Sequence, residues 1–382
     1  MKLKEMFFKI IFSKIQFYPP SKKKILIYDA VGIEYFDKFF FKKDYEIFHN
    51  RYEKINFFIL AKVFIKNGLS NIKKNYKFSY ISYVSPKVII TFVDNNPGFY
   101  LIKEKFPEII FIAIQNGVRT NPDFLGLKNK VKKNNKLVDY IFTLSKSFIN
   151  KYKNIFNCEV INIGSFKLNF FSKKKINIKK DILFISQTNK NLSLRKIVLN
   201  EVIIIESLLN YCNENKLKLD ILLKGEKNIL DQFKKEFDLK KNSNLNFITR
   251  KNSFENYNVI KNYKLIFFLN STLGYEALAL GKKIVSIPFG CKNKKWCKKN
   301  NIRYLEKFGY PKKLKDEGFF WSNKFDNKIL YALLDRVIEV NNSRWKKIFK
   351  INKCSDIISY DYKNSILKKI IKKHIQIKFK SE

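Results

Sequence analysis

The stretch PKVIITFVDNNPGFYLIKEKFPEIIFIAIQNGVRT, residues 86–120, decides the fold. A β-branched run over 87–93 predicts a strand, Asn95-Asn96-Pro97-Gly98 a turn, 98–105 a helix, and 109–114 a second strand. Two strands joined through a helix form a βαβ unit, and that unit belongs to a parallel sheet. Outward from it, KILIYDA (24–30), VDYIFTLS (138–145) and EVINIG (159–164) supply further strands of the same series. A second series opens at DILFISQT (181–188): helix 195–213, strand 217–223, helix 226–236, strand 245–249, a short helix at 254–261, strand 264–269, a helix from 271, and strand 283–287. Two such series imply an α/β protein with two Rossmann-like, doubly wound parallel sheets facing each other.

The boundaries follow from where the pattern fades. Residues 1–20 form an amphipathic N-terminal segment, 21–168 one domain and the lysine-rich stretch 169–180 a linker. The second domain covers 181–325, with C-terminal helices at 326–341 and 355–375 inside 326–382. At 382 residues, two domains fit better than one core. If helical, residues 1–20 set Phe7, Ile10, Ile11, Ile15 and Phe17 against Lys2, Lys4, Lys9 and Lys14, as in a segment lying in a membrane interface. The lysines forbid a span.

The formal charge of +44 invites a nucleic-acid reading. Yet only seven of the 77 basic residues are arginine, the side chain that forks onto phosphates and guanine edges. The excess of Lys, Asn, Ile and Phe is what an AT-rich genome writes into any protein. Specific nucleic-acid binding is therefore not expected, whereas attraction to an anionic inner-membrane surface is. A basic non-catalytic binder of nucleic acid remains the alternative from another class. Five scattered cysteines without C-x-x-C spacing argue against disulfides and zinc, and fit a cytoplasmic protein. Two histidines exclude a multi-histidine metal site and make a histidine triad implausible.

The second candidate stretch is STLGYEALALGKKIVSIP, 271–288. Ser271, Thr272 and Gly274 stand where a strand ends and a helix begins, the place where free N–H groups and the positive helix end favour phosphate. Glu276 is acceptor-only and suits a vicinal diol. The plain alternative is a helix cap with Glu276 near the third or fourth helical position.

This stretch resembles the donor-site segment of GT-B glycosyltransferases. The resemblance implies that Glu276 binds the ribose of a nucleotide sugar and that Ser271, Thr272 and Gly274 meet its phosphates. With TFVDNNPGFY (91–100), FIAIQNGVRT (111–120), IGSFKLN (163–169) and FISQ (184–187), the chain is similar to O-antigen and surface-carbohydrate biosynthesis proteins of bacterial polysaccharide loci. Lys167 departs from that pattern, where arginine is expected after Gly-Ser-Phe.

On this basis the protein is expected to be a glycosyltransferase moving a sugar from a nucleotide-sugar donor to a lipid-linked or oligosaccharide acceptor. It would sit in the cytoplasm, peripheral on the inner membrane. Gln115, Asn116 and Gly117 would line the cleft on the acceptor side, Arg119 would pair with an anion, and Asp94 would act as base, with Asp29 as second choice. Without a D-x-D motif no metal or other cofactor is expected, and Lys224 would join the helix N-terminus in stabilising the leaving nucleotide. A nucleotide-sugar 2-epimerase and a polyol-phosphate transferase of the same fold stay open, the latter commonly carrying His-Gly where this chain has Gln115-Asn116-Gly117.

Overall fold

The structure is a computed structural model that describes residues 13–131, 136–173, 178–187, 195–224, 230–231, 244–249, 254–289 and 305–380. Residues 290–304, most of the helix expected at 226–236, and residues 1–12 lie outside the described residues. Among the described residues the first element is β1 (Lys14–Gln16). The main sheet of the N-terminal half is built from β2 (Ile25–Tyr28), α1 (Ile33–Phe39) and β3 (Tyr45–Phe48), then β4 (Lys54–Asn56), α2 (Phe57–Asn67) and α3 (Ile72–Val84) on its flank. There follow β5 (Val88–Thr91), α4 (Pro97–Tyr100), β6 (Ile110–Ile114), α5 (Asn121–Lys128), β7 (Tyr140–Thr143), α6 (Ile149–Lys153) and β8 (Glu159–Asn162). The order is β3-β2-β5-β6-β7-β8, every pair parallel.

The second sheet takes β9 (Lys180–Ile185), α7 (Arg195–Glu214), β10 (Leu219–Leu222), β11 (Leu245–Ile248), α8 (Glu255–Lys261), β12 (Tyr263–Phe268), α9 (Thr272–Ala279) and β13 (Lys283–Ser286). It is likewise all parallel, in the order β11-β10-β9-β12-β13. Strands β2, β5 and β10 are buried at every residue, as a sheet covered on both faces requires. In both sheets the chain reverses its direction of winding once, between β2 and β5 and between β9 and β12. Such switch points open a crevice at the carboxyl ends of the strands.

Three helices close the molecule: α10 (Asn327–Glu339), α11 (Asn342–Ile351) and α12 (Ser365–His374). Helix α11 was not expected from the sequence. Helix α12 returns to the first half, where Leu367, Ile370 and Ile371 share a core with Ile25, Phe36 and Phe39. The stretch read as a linker is fastened to this return: Asn169 is fully buried and donates to Ile163 O at 2.9 Å and to Asn364 Oδ1 at 2.8 Å. Residues 14–16 also differ from expectation. They pair with β4 as a strand, setting Ile15 opposite Ile55, so the amphipathic helix expected over 1–20 does not reach its own end.

Gly164 marks where the returning chain crosses β8. Its φ is +76°, and a Cβ there would lie 2.2 Å from Ser359 O. Gly164→Ala is therefore expected to cost about 2–4 kcal/mol of stability in urea unfolding, since both the backbone conformation and the close approach penalise a side chain.

Candidate functional site

Both switch points open onto one cavity of about 370 Å³. The chain leaving β2 turns at Asp29, whose φ is +85°, and at Gly32, where a Cβ would lie 2.3 Å from the Phe92 ring. Glu34 and Tyr35 on α1 and Phe92 beyond β5 thereby reach the cavity wall, joined by Asn116 and Lys167. From the second half come Gln187 beyond β9, Ser271 and Thr272 beyond β12, Lys224, Tyr257 and Glu276. Gln187 Oε1 accepts from Asn270 N at 3.2 Å, so the two strands flanking the second switch point are tied by a side chain. Backbone N–H of Gln187 and hydroxyl of Ser186 in turn donate to the buried Glu201 carboxylate, both at 2.6 Å.

Glu276 does not act as a helix cap. Ser271 is the N-cap residue and its side chain makes no capping bond, which puts Glu276 at the fifth helical position. There it is 1% exposed and joins the two halves of the molecule. Oε1 accepts from Ser165 Oγ at 2.5 Å and lies 3.7 Å from Lys167 Nζ, while Oε2 accepts from Tyr257 OH at 2.9 Å. Burial, reinforced by Glu276, raises the Tyr257 phenol well above its ordinary pKa and keeps it a donor. A carboxylate offers about four acceptor positions, so these contacts orient Glu276 and leave it capacity toward the cavity.

The other expected donor-site residues separate. Ser271, Thr272 and Lys224 line the cavity. Thr272 Oγ1 also accepts from Val118 N at 3.0 Å, and a Cβ on Gly117 would come within 3.2 Å of that oxygen. Gly117 thus lets the first half close onto the start of α9. Gly274 is not at the cavity. It faces Phe268, where a Cβ would lie 2.2 Å from the ring, so its small size serves the packing of α9 on β12.

On the first-domain side, of the expected residues Asn116 alone lines the cavity. Gln115 is buried, with Oε1 accepting from Leu144 N at 3.1 Å and Nε2 donating to Gly117 O at 3.0 Å. Asp94 is 1% exposed and both its oxygens are engaged. Oδ1 takes Asn116 N at 3.2 Å and Arg119 Nη2; Oδ2 takes Arg119 Nε at 2.9 Å and Tyr152 OH at 2.5 Å. Burial alone would weaken the Arg119 charge, but Asp94 outweighs it and holds the guanidinium above its ordinary pKa. Arg119 Nη2 also donates to Asn116 Oδ1 at 2.6 Å. In this geometry Asp94 and Arg119 position Asn116 and do not face the cavity as a base and an anion clamp. Asp29 is bonded to Val31 N and Arg51 Nε, both at 3.1 Å.

The sequence reading missed Glu34, Tyr257, Gln187 and Ser165. Glu34 carries a weak signal, since it is the first carboxylate after the Asp29–Gly32 turn. Ser165 and Gln187 lie within IGSFKLN and FISQ, stretches that carry the family resemblance without pointing to either side chain, and Tyr257 carries no local signal, because its link to Glu276 spans 19 residues.

Comparison with known proteins places this arrangement. The S. aureus MnaA–UDP co-structure superimposes with a TM-score of 0.55 at 12% identity, over 92% of this chain and 96% of that one. UDP-GlcNAc 2-epimerase from Methanocaldococcus jannaschii, solved with UDP-GlcNAc and UDP, gives 0.53 at 12% identity, over 91% and 99%. The Neisseria meningitidis enzyme of that name, bound to UDP-GlcNAc, gives the same values. At such identity the likeness establishes the fold, and it is the GT-B fold. No curated protein sequence matches the chain. A family model described as "putative O-antigen biosynthesis protein" matches residues 112–375, more than half of the chain and all of its second sheet. The protein belongs to this O-antigen biosynthesis family and is built on two Rossmann-like domains in the GT-B fold.

Proposed function

We propose that the cavity binds a nucleotide sugar and that the protein transfers its glycosyl group, without a metal, to a lipid-linked or oligosaccharide acceptor of a surface polysaccharide at the cytoplasmic face of the membrane. One observation carries this reading. An oriented carboxylate, a helix N-terminus with two hydroxyls, and two lysines meet in one cavity at the switch points of both sheets. Glu276 would accept from the ribose diol, while Ser271, Thr272 and Lys224 would hold the phosphates. Metal independence rests on those cations together with the lack of a D-x-D motif.

Glu34 takes the role first expected of Asp94. It lines the cavity from the first-domain side, and no ion pair or hydrogen bond engages it among the described residues. In an inverting transfer it accepts the proton of the acceptor hydroxyl as that oxygen bonds to the anomeric carbon. The bond from that carbon to the donor phosphate breaks, and the nucleotide leaves with the electron pair, stabilised by Lys224, Lys167 and the start of α9. Glu34→Gln is expected to lower kcat by about 10²–10³-fold with donor affinity unchanged.

The test is product analysis with a panel of nucleotide sugars, with and without a lipid-linked glycan, in chelator. Nucleotide release that depends on acceptor supports transfer. Inversion at C2 of the donor without acceptor would show the epimerase instead, and binding without turnover of any donor would show a non-catalytic protein.

A further inference from the structure

A second and larger cavity, of about 1030 Å³, lies at the opposite end of the second sheet. The first cavity sits at the carboxyl ends of the strands. This one is bordered by Lys264 and Lys283 near the start of β12 and β13, by Lys282 in the turn between α9 and β13, and by helix α11. With strands rising about 3.3 Å per residue, the two sites lie about 15–20 Å apart across the sheet.

Its wall combines two features. Its apolar lining is Leu280, Trp345 and Phe349, with the half-exposed Ile178 beside them. Around it stand Lys264, Lys282, Lys283, Lys346 and Lys350, with Lys173 at the edge. No carboxylate and no arginine lines the cavity, and none of these lysines has a carboxylate within ion-pair distance among the described residues. Lys282 is 3% exposed and its ammonium donates to Lys261 O at 3.1 Å, one bond for three donors. Burial, with Lys283 adding to it, pulls Lys282 down to about 8, and burial also lowers Lys173 and Lys283. Buried and half-buried cations without a counter-charge are costly. An anionic ligand would supply the counter-charge that the described residues do not.

The neutral part of that ligand can be read as well. A sugar or a nucleobase needs acceptors for its hydroxyls and amino groups, and beside the lysine donors the side chains offer only Asn341 and Asn342. Hydrocarbon needs none. Helix α11 reads NSRWKKIFKI, with four cations and no acid, and it ends in Ile351, 78% exposed beside the rim; Ile178 is 50% exposed. Exposed aliphatic side chains among lysines are the composition of a surface that meets a lipid headgroup layer.

We propose that this groove seats the phosphate headgroup and proximal chain of an anionic membrane lipid, holding the second domain against the bilayer from the side away from the cleft. The inference is independent of the reading of that cleft.

The test is flotation of the full-length protein with vesicles of phosphatidylcholine alone or with 30 mol% phosphatidylglycerol, beside titration of Trp fluorescence with dihexanoyl phosphatidylglycerol, dihexanoyl phosphatidylcholine and inorganic phosphate (~30 mol% being the usual range of anionic surface charge). Two double variants carry the same charge change. Lys346→Glu/Lys350→Glu alters exposed rim residues of α11, and Lys62→Glu/Lys66→Glu alters exposed lysines of α2 in the other domain. Wild type is expected to float with phosphatidylglycerol vesicles only. The α11 variant is expected to partition at least ~20-fold more weakly and the α2 variant within ~3-fold of wild type. Urea melting of both variants checks folding. Equal losses in the two variants, a larger loss in the α2 variant, or saturable binding of inorganic phosphate as tight as that of the lipid would each overturn the proposal. So would equal binding to the uncharged vesicles.

Discussion

Replacing Asp94 by alanine is expected to lower the unfolding free energy by about 3–5 kcal/mol, because it leaves the largely buried Arg119 guanidinium without its counter-charge. The carboxylate also caps Asn116 N and receives Tyr152 OH, so the loss extends to the loop that carries Asn116 into the cleft. Urea unfolding at neutral pH measures it. Arg119→Ala should cost a similar amount, and the double variant should cost less than the two single losses combined, with a coupling of about 1–3 kcal/mol. If Asp94 were instead the catalytic base, Asp94→Ala would abolish turnover while keeping wild-type stability, and that result would reject the positioning role assigned to the pair.

Glu276→Ala should have the largest effect on ligand binding. Two hydrogen bonds from a ribose diol to a carboxylate are each worth about 1.5–3 kcal/mol when buried, so nucleotide affinity should fall at least about 100-fold. Part of the loss has a second origin, since Ser165, Tyr257 and Lys167 would lose the group that fixes them. Glu276→Gln keeps one acceptor and should fall between wild type and alanine. A titration of the cognate nucleotide against all three proteins checks the order. Tyr257→Phe removes one orienting bond and leaves the ring that packs on Phe171, so its effect should be smaller, about tenfold.

The alternation of β-branched runs with helical segments was readable from the sequence because the inner strands of a doubly wound sheet are buried on both faces. In runs such as Ile25–Tyr28 and Val88–Thr91 every residue is buried, and only the last, Tyr28 or Thr91, carries a hydroxyl. The strand order was not readable, and with it the coincidence of two switch points that makes the cavity. Residues of the second-domain turn were found by local chemistry, since Ser271 and Thr272 follow a strand directly. In the first domain the same reasoning chose two polar turns, one at Asp94 beyond β5 and one at Gln115–Arg119 beyond β6, and there it met a closed network. A carboxylate and an arginine 25 residues apart read alike whether they face substrate or each other. Glu34 was overlooked because a glutamate in the first turn of an amphipathic helix is ordinary, and only the packing of Gly32 on Phe92 brings it to the cleft. Helix α12 was visible as a helix, but its return to the first domain depends on contacts such as Asn169 with Asn364 across 195 residues.

The central claim is that both sheets direct their switch points at one nucleotide. Calorimetric titration of the full-length protein with UDP, dTDP, GDP, ADP and CMP in chelating buffer addresses it most directly. The expected result is saturable 1:1 binding of one of them, stabilising the fold by about 2.7 kcal/mol at a hundredfold excess over Kd, and lost in Glu276→Ala. A folded protein that binds none of the five, or binds one equally well after Glu276→Ala, would contradict the account.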